Sequence, residues 1–178
     1  MARLAYPDQD QLSERVAEAL AALPPLNIFR MLAHAQTAFR PFLRFGGAIL
    51  ADLELAPTLR ELAILQVARQ AGAEYEWVQH VAIGRAVGLS EEQIAAVHRG
   101  EIDAPEALSE LDRAVLAFTA EVVEGPRVSD PTFAAVRAHL SPREIVELLL
   151  TIGEYLMLAR VMTTLELEID EPAGAGLP

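Results

Sequence analysis

Glu76 and His80 stand four residues apart in the stretch GAEYEWVQHVAIG, which runs from Gly72 to Gly84, and Glu61 precedes them in the segment LRELAILQVARQ. A helix advances about 100° per residue, so Glu76 and His80 project about 40° apart, with Ile83 and Val87 on the same face. Glu61 projects among Ile64, Leu65 and Ala68, while Thr58, Gln66, Arg69 and Gln70 lie on the opposite side, so Glu61 is expected to be buried. Burial raises the pKa of a carboxyl group, and a carboxylate beside an imidazole fixes the tautomer of that ring. Three readings fit the spacing. The pair can be an ordinary structural contact of the i, i+4 kind, a general acid/base, or part of a metal site. The metal reading has least behind it, because the chain has no HExxH arrangement and no second histidine at matched spacing.

Around this trio, Tyr75 and Trp77 are candidates to wall a substrate pocket, His34 in MLAHAQ to line it, and Arg85 to clamp an anion. Each has a structural alternative: aromatics at such positions commonly pack in cores, and a lone histidine on an apolar face is commonly a satisfied core residue. Tyr155 and Arg160 carry the same ambiguity. His98 and His139 fall near predicted helix C-termini, where a charged imidazole is favoured for structural reasons.

The residue inventory excludes several chemistries. The chain has 178 residues, no cysteine, and fourteen basic residues that are all arginine. Disulfides, thiolate catalysis, thiolate metal ligation and lysine Schiff bases are therefore ruled out. A formal charge of −12 argues against nucleic acid as a partner, since phosphate binding needs clustered cations. The N-terminal MARLAYPDQDQLSERV lacks the apolar run of a signal peptide, and the most apolar stretch, Ile145 to Leu165, is interrupted by Glu147, Glu154 and Arg160. No membrane partner and a cytoplasmic location are expected.

These residues must be positioned by helices. Alanine and leucine dominate, prolines sit at segment edges and no period-two pattern appears, which predicts a single all-α domain. Helices are predicted from about Gln9 to Leu23 and from Asn27, as cap, to about Leu53, the second kinked or divided near Pro41 and Gly46-Gly47. Two more, about Thr58 to Gln70 and Tyr75 to Val87, are joined by the turn AGAE into a hairpin, with Gly88 closing the second. Ser90, Ser109, Asp130-Pro131 and Ser141-Pro142 open the remaining helices, and residues 171–178 are expected to be frayed. The last helix is apolar nearly all round, which places it at the centre of the domain or in a subunit interface.

From Asn27 to Val97 the order of features resembles the carboxymuconolactone decarboxylase family, which includes the alkylhydroperoxidase D branch. NIFRMLAHA, LRELAILQVARQAGAEYEWVQH and AVGLSEEQI carry the resemblance, and GEYLMLARVMTTLELEID is similar to longer members. It implies a compact bundle of about seven or eight helices, a family core at about 27–100, and assembly into trimers or hexamers. The peroxidase branch has a Glu followed by Cys-x-x-Cys-x-x-x-His. Here Glu61 and His80 match the acid and the imidazole, whereas the thiol positions hold Ala73 and Glu76, which removes thiol peroxidase chemistry. The decarboxylase branch, which lacks the cysteine pair, is the closer likeness. The expectation is therefore a lyase or isomerase that needs neither cofactor nor metal and acts on a small organic acid or lactone. His80 serves as acid or base, Glu76 orients and charges it, and Glu61 is a buried proton donor or acceptor. The alternative is a non-catalytic oligomeric module that binds a small ligand or partner. That alternative predicts that Glu61 meets an ordered partner such as arginine and that no pocket opens beside His80.

Overall fold

The computed structural model describes residues 1–172, which form nine α-helices and no strand. After a short 3-10 turn at Gln9–Gln11 come α1 (Glu14–Ala21), α2 (Asn27–Leu32), α3 (Gln36–Ala51), α4 (Pro57–Ala71) and α5 (Glu74–Val87). They are followed by α6 (Glu91–Arg99), α7 (Glu110–Glu124), α8 (Asp130–Arg137) and α9 (Pro142–Leu165). The all-α class is as the sequence indicates. Of the expected frayed tail, residues 173–178 lie outside the described residues.

The caps explain the boundaries. Ser90, Ser109 and Ser141 each accept a hydrogen bond from the backbone N–H three residues on, while Gln93, Asp112 and Glu144 reach back to the cap N–H. Gly72 ends α4 in the left-handed region at φ 64°, where a side chain is strained, and Ala73 N–H then donates to the Ala68 carbonyl. This turn folds α4 and α5 into the expected hairpin.

Two boundaries differ from expectation. The long second helix divides at Ala33–Ala35, not at Pro41 or Gly46-Gly47, and Pro41 lies inside α3. The division is held by Gln36, whose side chain accepts from Ser13 N–H and donates to the Gln11 carbonyl, so a tertiary contact fixes where α3 begins. Asn27 is the first residue of α2 rather than its cap, and its side-chain amide donates to Asp170 and to the Glu168 carbonyl.

At the centre of the bundle lies α4. Every residue from Leu59 to Ala68 is buried, with α5, α6, α7 and α9 packed around it. The last helix is instead half-covered: Leu148, Ile152, Tyr155 and Ala159 face α4, while Val146, Leu149, Leu150 and Met157 are exposed. Beyond α9 the chain runs back across the bundle, and the Asp170 carboxylate accepts from Tyr75 Oη at 2.6 Å, Asn27 N at 2.6 Å and Asn27 Nδ2 at 2.8 Å. This strap ties the N-terminal ends of α2 and α5 together.

Because α4 and α9 share the main core, Leu148→Ala is expected to lower unfolding free energy by about 2–5 kcal/mol in urea denaturation. A loss below about 1 kcal/mol would mean that this seam does not carry the fold.

Candidate active site

Glu61 is fully buried on α4 and makes two polar contacts. One carboxylate oxygen accepts from Arg60 Nε at 2.8 Å and the other pairs with His80 Nδ1 at 2.8 Å. Arg60, also buried, donates Nη1–H to the Leu50 carbonyl of α3 at 2.7 Å. Burial alone would raise the Glu61 pKa, but the His80 and Arg60 contacts outweigh it and hold Glu61 below its usual value. The Glu61 contact commits Nδ1 and leaves Nε2 as the ring nitrogen able to exchange a proton with a ligand. The ring is braced by Tyr155 of α9 in an edge-on contact at 4.7 Å.

The role expected for Glu76 is not what the geometry shows. Neither Glu76 oxygen has a hydrogen-bond partner, so it is Glu61, from the neighbouring helix, that orients His80. Glu76 is 2% exposed, and burial, reinforced by Glu154 and Glu61, pushes its carboxyl well above the usual range. Both effects favour its protonated form. Glu154 of α9 behaves similarly: its Oε2 is unpartnered and burial pushes it up to about 7. Room for it comes from Gly46 on α3, where a Cβ would stand 2.9 Å from Glu154 Oε1.

These groups face one cavity of about 310 Å³. Glu76, His80, Glu154 and Tyr155 line one end, apolar side chains such as Ile28, Phe29, Leu32 and Leu158 form the walls, and Arg44 stands at the rim. This lies at the small end of ligand-pocket volumes and suits a small molecule.

Of the other sequence candidates, Tyr75 lines the cavity, with its hydroxyl held by Asp170 and donated a hydrogen bond by Ile28 N–H. Trp77 does not. Two residues on from Tyr75, it turns about 200° away, meets the His98 ring in a tilted contact at 5.0 Å and packs against the main core. His34 is exposed between α2 and α3, with Nε2 at 2.9 Å from the Ala5 carbonyl. Arg85 is exposed and bound by both oxygens of Glu91 at 2.6 and 2.9 Å, about 140° round α5 from His80. Sequence reasoning missed Arg60 and Glu154. The signal for Glu154 was a carboxylate inside the apolar run ELLLTIGEYLMLA, which needs a reason to be there. Among the described residues no group of three or more His, Asp or Glu side chains has the arrangement of a metal site, and no helix is long and apolar enough to cross a membrane.

The fold is that of the alkylhydroperoxidase D-like helical bundles. A family model described as the carboxymuconolactone decarboxylase family matches residues 36–121. The match begins later and ends later than the expected core of about 27–100. A structure from Ralstonia eutropha JMP134, described as an alkylhydroperoxidase AhpD core and uncharacterized peroxidase-related protein, is similar at TM-score 0.82 and 21% identity, covering 96% of this chain and 93% of that one. An uncharacterized peroxidase-related protein from Silicibacter sp. TM1040 has TM-score 0.82 and 16% identity, covering 97% and 95%. The debrominase Bmp8, as a C82A variant in complex with 2,3,4-tribromopyrrole, has TM-score 0.75 and 19% identity, covering 95% and 90%. At these identities the likeness is one of fold. No curated protein matches the chain.

The raised carboxyl of Glu154 carries a signed pH prediction. The folded protein keeps a proton there that the unfolded chain releases near the ordinary value of 4.5, so this contribution to stability is full below about 4.5 and is lost as pH rises through about 7. Glu154→Gln removes the titration. Relative to the original protein it is expected to gain about 1–3 kcal/mol between pH 5 and pH 8 in denaturant melts. An identical difference at both pH values would show that Glu154 does not titrate in this window.

Proposed function

We propose that the chain is a general acid/base enzyme, a lyase or isomerase, acting on a small organic acid or lactone without thiol chemistry. The observation that carries this reading is the meeting of an oriented imidazole, His80, and a buried unpartnered carboxyl, Glu76, at one end of an apolar cavity. His80 Nε2 takes a proton from carbon next to a carbonyl, Glu61 and Arg60 fix the ring and its charge, and Glu76 returns a proton to the substrate. In the lyase form, the bond to a departing carboxylate breaks, carbon dioxide leaves, and the electron pair stays in a carbanion conjugated with the substrate's own carbonyl. The Glu76 carboxyl then protonates that carbon and is reprotonated from solvent. The substrate supplies the electron sink and the protein supplies the proton. The family match supports the scaffold more than the substrate. The apolar stripe Val146, Leu149, Leu150 and Met157 on α9 suits contact with a second copy of the chain in a homo-oligomer.

A second reading, a non-catalytic module that binds a small ligand, draws on the Arg60 contact, since a carboxylate satisfied by arginine needs no catalytic reason for its burial. Against it stands the cavity beside His80, which that reading does not require.

Small lactones and oxo-acids are to be screened for carbon dioxide release and for uptake of solvent deuterium at carbon. For a substrate so found, His80→Ala is expected to lower kcat by about 10²–10⁴-fold, and Glu61→Gln and Glu76→Gln by smaller factors. If His80→Ala and Glu61→Gln turn the substrate over at the original rate, the mechanism is wrong.

A further inference from the structure

Arg44 stands where two depressions meet. With Leu43 it lines both the cavity beside His80 and a groove of about 680 Å³ between α1 and α3. Arg15 and Arg40 line the same groove beside Ser13, Gln36 and Thr37, and no carboxylate is among its lining residues. That is unexpected in a chain with 26 acidic and 14 basic residues. Half of the arginines, Arg85 and Arg143 among them, meet a carboxylate. In contrast, no ion pair or hydrogen bond of Arg15, Arg40 or Arg44 is found among the described residues. Three uncommitted guanidinium groups in one acid-free groove form a local positive field on an acidic molecule.

The inner end of the cavity has the opposite character. An anion carried there meets the carboxyls of Glu76 and Glu154, whose three unpartnered oxygens offer no cation, with the Glu61 carboxylate behind His80. Between the two ends the walls are apolar, with Leu32, Leu43 and Leu50 among them. A ligand with one charged and one uncharged end has a single favourable direction in such a channel.

We propose that this site takes an amphiphilic organic anion bound head-out, with its carboxylate or phosphate on Arg15, Arg40 and Arg44 and its uncharged reactive end against Glu76 and His80. The proposal deepens the acid/base reading and rests on it for the reactivity of the inserted end. It narrows that reading to proton transfer of the isomerase kind and sets aside its decarboxylating form, because a carboxylate next to the reacting carbon would have to enter among the glutamates. The direction of binding is a separate matter from turnover and is tested separately.

Calorimetric titration of the full chain at low ionic strength with octyl phosphate, 1-octanol, octylammonium and inorganic phosphate reads the direction. Octyl phosphate is expected to bind about tenfold more tightly than 1-octanol, from a few partly exposed charge contacts. Arg40→Gln with Arg44→Gln, and separately 0.5 M salt (roughly a 4 Å screening length), are expected to abolish that advantage while leaving 1-octanol unchanged. Leu32→Trp, which fills the cavity, is expected to weaken octyl phosphate and 1-octanol but not inorganic phosphate. Tighter binding of octylammonium than of octyl phosphate overturns the proposal, as does indifference of octyl phosphate to the arginine substitutions. His80→Ala is expected to keep octyl phosphate affinity. A loss of turnover there with binding intact bears on the acid/base reading alone, and a failure of head-out binding leaves that reading standing.

Discussion

The Arg60–Glu61–His80 contact is the constraint around which the domain is arranged. A fully buried carboxylate must be paired, because burying an isolated charge costs far more than a domain's whole stability. Glu61 sits on α4, the helix with no solvent-facing side, so its partners must come from its own neighbour Arg60 and from α5. Arg60 in turn needs an acceptor for its second nitrogen and finds the Leu50 carbonyl at the end of α3. One buried charge thus ties three helices in register. Removing one partner from such a set typically costs about 3–5 kcal/mol, most of it from the charge left behind, so geometry here is specified more than stability is gained.

That ionised group also sets the state of the carboxyls around it. Glu61, Glu76 and Glu154 are the same residue type within one site, yet their environments separate them. Glu61 is held below its usual value by its His80 and Arg60 contacts, whereas Glu76 has no partner and is pushed above it by burial and by the other two carboxyls. Glu154, on which burial alone acts, is pushed up to about 7. Separation of this kind lets acid and base functions coexist a few ångströms apart, which identical exposed carboxylates do not do. Tyr155 shares the effect: burial and the surrounding carboxyls push its hydroxyl well above its usual value, so it stays protonated.

The sequence made local features legible and left through-space ones obscure. Serine caps, Gly88 and Gly100 after their helices, and the α4–α5 hairpin all follow from chemistry within a few residues. The break at Ala33–Ala35 does not, since it depends on Gln36 reaching residues more than twenty positions away. The burial of Glu61 was readable from helical periodicity. The partner of His80 was not, because a 40° projection on one helix says which face two residues share and nothing about which side chain lies nearer across the next helix. Glu154, 78 positions after Glu76, could be suspected as a charge inside an apolar run but not placed. Trp77, by contrast, was misplaced against a rule available from the outset: two residues apart on a helix means opposite faces.

Position 76 is where the resemblance to the peroxidase branch puts a thiol, and its surroundings say what a carboxyl there is suited to. The position is buried, near the Glu61 carboxylate, and offers no protein donor to either oxygen. Desolvation and a neighbouring negative charge oppose ionisation of any acid in that place, thiol or carboxyl alike. A thiol so placed would need help to become the reactive thiolate, whereas a carboxyl is already in the form that donates a proton. Under the acid/base reading, the environment that Glu61 creates is therefore better matched to Glu76 than to sulfur. Under that same reading Glu76 moves a proton while the Arg60–Glu61–His80 frame does the orienting.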